Sequence, residues 1–391
     1  MKNILIIGAL YSGNLGDDVI FDVVYHVCRS VPCHIQKMSI SGRNEPAPIG
    51  SASSSGLKQS LKNRIRRLKP YQRLVEKKRC KRLRTVLEQF DFSGLDLIIF
   101  DGGQLFFDVF VPLIAIIMEK AGQYPVKILF NACGVGLLNQ KNKMILRRIA
   151  ENPQVSLMTL REDASDFLRQ IQPDPILCKN KLFRVMDPAI HCCDIFPPAG
   201  KTNIIGIGLI NETILKKHGI VLHHHAYMQL VRQIVNFCEL HSLSYEFFCN
   251  GDNADYAFLK EVQKSIGKQI PIAPRPTSSE ELAKLISHYD RIISFRLHSH
   301  IIAASYRVPS FGLVWDTKVR EFFEAVDRQN ALFTVSDQMD LTVLDKQLEQ
   351  FMTSPYTIHM TEYQDACDVL KETIIGTSCD KTKEVKECSV G

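Results

Sequence analysis

The chain has 391 residues, more than a single hydrophobic core usually organises, so two domains facing a cleft are expected. A hydrophobic share of 45%, a charged share of 23%, 21 Gly and 17 Pro exclude a collagen-like, coiled-coil or wholly disordered chain. The net charge of +6 is concentrated: Lys58 to Arg84 holds 13 basic residues and the single acid Glu76, a local +12 against −6 elsewhere, which argues for a local anionic partner and against a general nucleic-acid-binding face.

The N-terminal ILIIGAL reads as a strand buried on both faces, and after the turn YSGNLGDD the residues Ile20, Val23, Val24 and Val27 recur at helical spacing. Asn14, Gly16, Asp17 and Asp18 therefore occupy a strand-to-helix corner. Between Ser41 and Gly56 ten of sixteen residues are Gly, Pro or Ser, so 41–56 is expected to be a mobile loop. The basic arm 57–84 follows. Its first part sets Leu57, Leu61, Ile65 and Leu68 on one stripe and cations on the other faces until Pro70. Such a helix suits an anionic membrane surface, and equally a solvated helix laying its stripe on the core.

LDLIIFDGG, VKILFNACGVG and VSLMTLRED repeat the pattern of an apolar strand ending in Gly or polar residues, which makes the first half α/β with a parallel sheet. The longest apolar run, Val109 to Met118, is too short to cross a bilayer and contains Pro112. With no signal-peptide pattern at the N-terminus, a cytoplasmic chain is expected. A second strand series, NIIGIGL, YEFFCN, RIISF and VPSFGLVW, begins after IFPPAGK, placing a hinge near Asp194 to Gly200. Ser278 and Glu281 form a capping-box pattern ahead of Leu282, Leu285 and Ile286. The expected division is a domain over 1–195, a second over 196–375, and a frayed tail over 376–391.

Twelve cysteines without a CxxC pair read as reduced thiols, and His223, His224 and His225, being consecutive, read as a surface or packed cluster; no metal is called for. The first glycine turn is not GxGxxG, and HExxH, GxSxG and GxxxxGK[ST] are absent, which removes dinucleotide, zinc-protease, serine-hydrolase and P-loop readings.

Ligands of parallel α/β sheets bind beyond the carboxyl ends of the strands. RIISF ends in Arg296, Leu297 and His298 at the start of the helix-like SHIIAAS, where free amides, a guanidinium and an imidazole suit a phosphate. Arg296 pairing with a nearby acid and His298 capping the helix remain open. Lys318, after Asp316, sits at the next strand-to-helix corner, and Arg161 ends VSLMTL in the first half, placed to approach across the cleft. Gly102 and Gly103 fit a close backbone approach to a ligand or a plain tight turn.

GNLGDD (13–18), DGGQLF (101–106), TLREDAS (159–165), DPAI (187–190) and SFRLHSHIIAASYRVPSFGLVWDTKV (294–319) together resemble the polysaccharide pyruvyl transferases, over most of residues 1–325. The resemblance implies a GT-B-like fold of two Rossmann-type domains. It also implies transfer of pyruvate from phosphoenolpyruvate to sugar hydroxyls of a bacterial surface polysaccharide precursor, as a ketal, with no cofactor. On that analogy Arg296, Lys318 and Arg161 take the donor's anionic groups, and His298 contacts phosphate or supplies a proton. Asn14 and Asp17 orient or deprotonate the acceptor, Asp17 having the alternative of capping the first helix. A polyprenyl-linked glycan acceptor would give the basic arm the use of holding the enzyme peripherally at the inner face of the membrane. A GT-B glycosyltransferase using a nucleotide sugar is the competing reading.

Overall fold

The computed structural model describes residues 1–43, 69–178, 181–359 and 365–376. Most of the loop 41–56, the first part of the basic arm and nearly all of the tail lie outside the described residues. The first half runs β1 (Lys2–Gly8), α1 (Leu15–Arg29), β2 (Cys33–Ser39), α2 (Lys69–Gln89), β3 (Leu97–Phe100), β4 (Gly103–Phe106), α3 (Val111–Ala121), β5 (Lys127–Val135), α4 (Gln140–Glu151), β6 (Val155–Leu160), α5 (Ala164–Ile171), α6 (Pro175–Cys178) and β7 (Leu182–Arg184). A 3-10 helix, Pro188–Asp194, leads into the second half. That half contains β8 (Ile204–Gly208), α7 (Glu212–Lys217), α8 (His224–Leu240), β9 (Ser244–Phe248), α9 (Asn253–Ile266), α10 (Ser279–His288), β10 (Arg291–Ser294) and α11 (Leu297–Ser305). It closes with β11 (Ser310–Val314), α12 (Thr317–Ala325), β12 (Leu332–Thr334), α13 (Leu341–Thr353) and α14 (Ala366–Ile375).

Both sheets are parallel. The first is ordered β2-β1-β3-β5-β6-β7 with β4 beside β5, and the second β12-β11-β10-β8-β9. In each, the strand order reverses once, between β1 and β3 and between β8 and β10, and the crevice beyond such a reversal is where α/β sheets receive ligands. The turn GNLGDD follows β1, the DGG turn follows β3, and Arg296 to His298 follow β10. All three motifs therefore stand at the two switch points.

The central strands are apolar because each is covered on both faces; Leu97–Phe100 and Ser310–Val314 are buried throughout. One apolar cluster lies under α2, α3 and α4, where Leu83, Leu87, Leu113 and Leu146 pack on the first sheet. The other is continuous from Val19, Ile20 and Val23 of α1 into Ile301, Ile302 and Phe311 of the second half, so α1 joins the two sheets. Three bonds fix this junction: the Leu15 amide donates to the Asn250 carbonyl at 3.1 Å, Ser279 Oγ donates to Asp22, and Lys2 Nζ donates to the carbonyl of Ile374 on α14.

Local chemistry sets the helix starts. Pro112 sits in the first turn of α3, where its missing N–H costs nothing. The Ser278 hydroxyl accepts the Glu281 amide at 3.2 Å, and Glu281 returns by accepting from the amide and hydroxyl of Thr277, one residue earlier than a reciprocal capping box requires. Among the described residues no helix is long and apolar enough to cross a membrane.

Candidate active site

His298 lies in the first turn of α11 and is 7% exposed. What covers it comes from the other half: a Cβ on Gly16 would stand 2.3 Å from His298 Nδ1, so only glycine lets the start of α1 close over the imidazole. On the other side, Arg161 Nη1 approaches His298 Nε2 to 3.1 Å. A guanidinium has no acceptor, so this bond requires the lone pair on Nε2, which makes the ring neutral with its proton on Nδ1. Burial lowers the pKa of His298 below the usual histidine range; Asp187 and Asp17 oppose that, and Arg161 and Lys318 reinforce it.

Arg161, immediately after β6, is itself buried. Its Nη1 donates to Asp187 Oδ2 at 2.7 Å and its Nε to Glu162 Oε1 at 3.0 Å. Burial works against the charge, yet Glu162 and Asp187 overcome it and hold Arg161 above its ordinary range. Asp187 is positioned by a second duty, because its Oδ1 caps the 3-10 helix through the Ala189 amide at 2.9 Å. Glu162 likewise accepts the Val135 amide at 2.7 Å. The carboxylates that balance Arg161 are thus anchored on backbone.

Beside this cluster is a small cavity, about 20 Å³, lined among others by Arg161, Arg184, Asp187, Leu297, Lys318 and Glu321. That is space for roughly one water, so a phosphorylated metabolite needs the lobes or side chains to part. Lys318 Nζ rests 3.1 Å from Asp316 Oδ2, and Asp316 also caps α12. Arg184, at the end of the edge strand β7, donates to the Arg161 carbonyl at 3.3 Å and to the Glu321 carbonyl at 3.4 Å. Three cations, from the end of β6, the end of β7 and the start of α12, therefore face one space, next to a neutral imidazole.

The family described as polysaccharide pyruvyl transferase matches residues 14–317, which takes in Arg161, Arg184, Asp187 and His298 and ends one residue before Lys318. The chain belongs to the polysaccharide pyruvyl transferase family. Among curated proteins none matches it. Among solved structures it is similar to the UDP-GlcNAc 2-epimerase of Methanocaldococcus jannaschii in complex with UDP-GlcNAc and UDP, at 12% identity and a TM-score of 0.56 over 96% of this chain and 98% of that one. The UDP-GlcNAc 2-epimerase of Neisseria meningitidis bound to UDP-GlcNAc is similar at 12% identity and 0.54, over 96% and 100%. At such identities the likeness is one of fold, and the GT-B-like architecture expected from the resemblance is present.

Within this pyruvyl transferase family member the remaining expected site residues divide. Leu297 opens α11 and lines the cavity. Arg296 is set apart. It reaches Asp255 Oδ2 through Nε at 3.1 Å and also through Nη2, and it is not among the cavity's lining residues. Asp255 is fully buried and spends its other oxygen on the Asn211 amide, so the alternative of an acid partner for Arg296 is what the structure shows. Lys318 accordingly shares its space with Arg161 and not with Arg296, although β10 and β11 do pair.

Asn14, not Asp17, caps α1: its Oδ1 accepts the Gly16 amide, and its Nδ2 donates to Asp17 Oδ2 at 3.4 Å. The capping alternative for Asp17 is thereby corrected: the Asn14 amide donates to Ser12 Oγ, and Asp17 accepts from the side chains of Ser12, at 3.1 Å, and Asn14. Asp17 also lies against Gly103. Gly102 and Gly103 have φ of +124° and +69°, and a Cβ on Gly102 would stand 2.7 Å from the Asn131 carbonyl, so the turn itself demands both glycines.

Asp187, Glu162, Arg184 and Asp101 escaped the sequence reading as site residues. Asp187, Asp101 and Glu162 belong to the quoted motifs DPAI, DGGQLF and TLREDAS, which was the available signal. The Asp101 carboxyl is 1% exposed and its Oδ1 has no partner among the described residues. Burial, then Asp17 and Asp18, raise its pKa well above the carboxylate range. Asp18 is pushed up to about 7, by burial first and then by Asp17 and Asp22. Asp18 on α1 thus takes a proton near neutrality.

Proposed function

We propose that the enzyme transfers the enolpyruvyl group of phosphoenolpyruvate to two hydroxyls of a sugar in a bacterial surface polysaccharide precursor, releasing phosphate and leaving a cyclic pyruvate ketal. The observation that carries this reading is the contact of Arg161 with His298 across the two halves, beside Lys318. A donor with one phosphate and one carboxylate needs several cations and a proton carrier in one place. Lys318 and Arg161 take the donor's anionic groups. Arg296 joins them through a shift from Asp255, and Leu297, Gly102 and Gly103 bring backbone close to the reactants.

The chemistry follows from the donor. Protonation at C3 of the enol leaves an oxocarbenium-like centre at C2, which one sugar hydroxyl attacks, losing its proton. Phosphate then leaves with a proton, and the second hydroxyl attacks the renewed cation, gives up its own proton and closes the ketal. His298, neutral in the free enzyme, takes up a proton once the donor's negative charge is beside it, and Asp17 with Asn14 faces the acceptor hydroxyls. Incubation of the purified protein with phosphoenolpyruvate and extracted glycan precursors should release phosphate and add the pyruvate ketal mass to the glycan. Phosphate release without the mass increment, or neither, sinks the proposal.

A second reading has one observation in its favour: two structures of similar fold hold UDP-GlcNAc. On that reading the donor is a nucleotide sugar. Thermal stabilisation by UDP- or GDP-sugars, with none by phosphoenolpyruvate, would select it.

The basic arm fits a peripheral membrane role in its described part. Lys77, Lys78, Lys81 and Arg84 of α2 are exposed while Leu83 and Leu87 pack inward. Because α2 belongs to the core, charge reversal at those four positions, rather than deletion, is the proper test. The quadruple Glu variant should lose sedimentation with anionic vesicles while keeping its melting temperature, and undiminished sedimentation removes the idea.

A further inference from the structure

The turn that joins the two halves meets the last described helix at a cluster no part of the proposed reaction uses. His191 stands on the 3-10 helix four residues after Asp187, and Asp365 and Cys367 stand at the start of α14. One ligand atom each from His191, Asp365 and Cys367 lies within 4.8 Å of the other two, and all three residues are half-buried. A tetrahedral zinc ion, with bonds of about 2.0 to 2.3 Å, holds its ligand atoms some 3.3 to 3.8 Å apart, so small rotations of these side chains suffice to close on it.

Two further features point the same way. His191 directs Nε2 at Asp365 and Nδ1 at Asp194 Oδ2, 3.0 Å away. A carboxylate on the far nitrogen is the device that orients metal-binding imidazoles and strengthens them as ligands. Among the described residues no hydrogen bond engages the sulfur of Cys367; only its amide is used, donating to Asp365 Oδ1 at 2.7 Å. The Asp365 carboxylate therefore caps α14 with one oxygen and turns the other toward His191.

We infer that His191, Asp365 and Cys367 form a binding site for a divalent transition metal, zinc first, with a water as fourth ligand. The N, O and S donor set selects a borderline-soft ion over magnesium or calcium. Its place in the fold gives the ion a structural use: it ties the segment carrying Asp187, and through it Arg161, to the helix that returns to α1.

Cobalt reports the site without any reference to activity. The full-length protein, stripped with chelator in reducing buffer and titrated with Co²⁺, should bind one equivalent, with the visible bands of tetrahedral cobalt and a thiolate-to-cobalt charge-transfer band, both abolished by one equivalent of Zn²⁺. Cys367→Ser should remove the charge-transfer band while keeping the metal-free melting temperature. Asp194→Asn should weaken zinc binding about 10- to 100-fold. Cys193→Ser, whose exposed thiol is the nearest rival in sequence, should change neither. Zn²⁺ should raise the melting temperature of the wild type and not of Cys367→Ser. Absence of a saturable equivalent in the wild type overturns the inference, as does a charge-transfer band that survives Cys367→Ser or disappears with Cys193→Ser.

Discussion

Arg161→Met is expected to lower the unfolding free energy by about 3 to 5 kcal/mol at pH 8, the range found when one partner of a buried ion pair is removed. The side chains are similar in length, so the loss is electrostatic. Asp187 and Glu162, at 3% and 8% exposure, would be left as neighbouring buried carboxylates with no guanidinium between them. Their remaining bonds come from backbone amides at Ala189 and Val135, which favour the charged form but do not neutralise it. Arg161→Met with Asp187→Asn should recover part of the loss, since the second change removes one of the stranded charges. Denaturant melts with an unchanged m-value measure it. A loss below about 1 kcal/mol at pH 8 would mean that the two carboxylates are solvated, against the burial that defines the site.

Burial explains which parts of this molecule could be foreseen. Strands covered on both faces write themselves as apolar runs, which is why β1, β3, β5, β6, β8, β10 and β11 are evident in the sequence. Of the edge strands only β9 is, through its buried Phe247 and Phe248; CHIQKMS of β2 alternates between half-buried and exposed along most of its length, and β7 and β12 have three residues each. The helix α2 was hidden by composition, because its cations mask the two leucines that seat it on the sheet. For the site, the rule that ligands gather at strand ends found Arg161, His298 and Lys318, which the structure brings to one place from both halves. It did not find Asp187, because the three-residue edge strand β7 that precedes it leaves no apolar run to mark a strand end, nor foresee that Arg296 would be met by Asp255, 41 residues earlier on α9. Long-range pairing leaves no periodicity to read.

His298→Gln is expected to lower kcat for pyruvyl transfer by about 10²- to 10⁴-fold, the usual worth of a positioned proton carrier, with little change in KM for phosphoenolpyruvate. Glutamine retains an acceptor near the position of Nε2, so the bond from Arg161 survives and the buried charge keeps its partners; what disappears is the capacity to hold a proton. This separates the two duties assigned to the imidazole. Were His298 only a phosphate contact, the same variant would raise KM and spare kcat. The wild-type pH profile supplies an independent measure. In the free enzyme burial and Arg161 favour the neutral ring, so kcat/KM, if the protonated form is required, should already be falling as pH rises from below the ordinary histidine range. In the donor complex the added negative charge favours the protonated ring, which moves the corresponding limb of kcat to higher pH. His298→Gln should lose the kcat limb that moves. A variant whose kcat stays within about threefold of wild type and keeps that limb would transfer the proton-donating role elsewhere, and Asp101, whose buried carboxyl is pushed above the usual carboxylate range, would be the group to replace next.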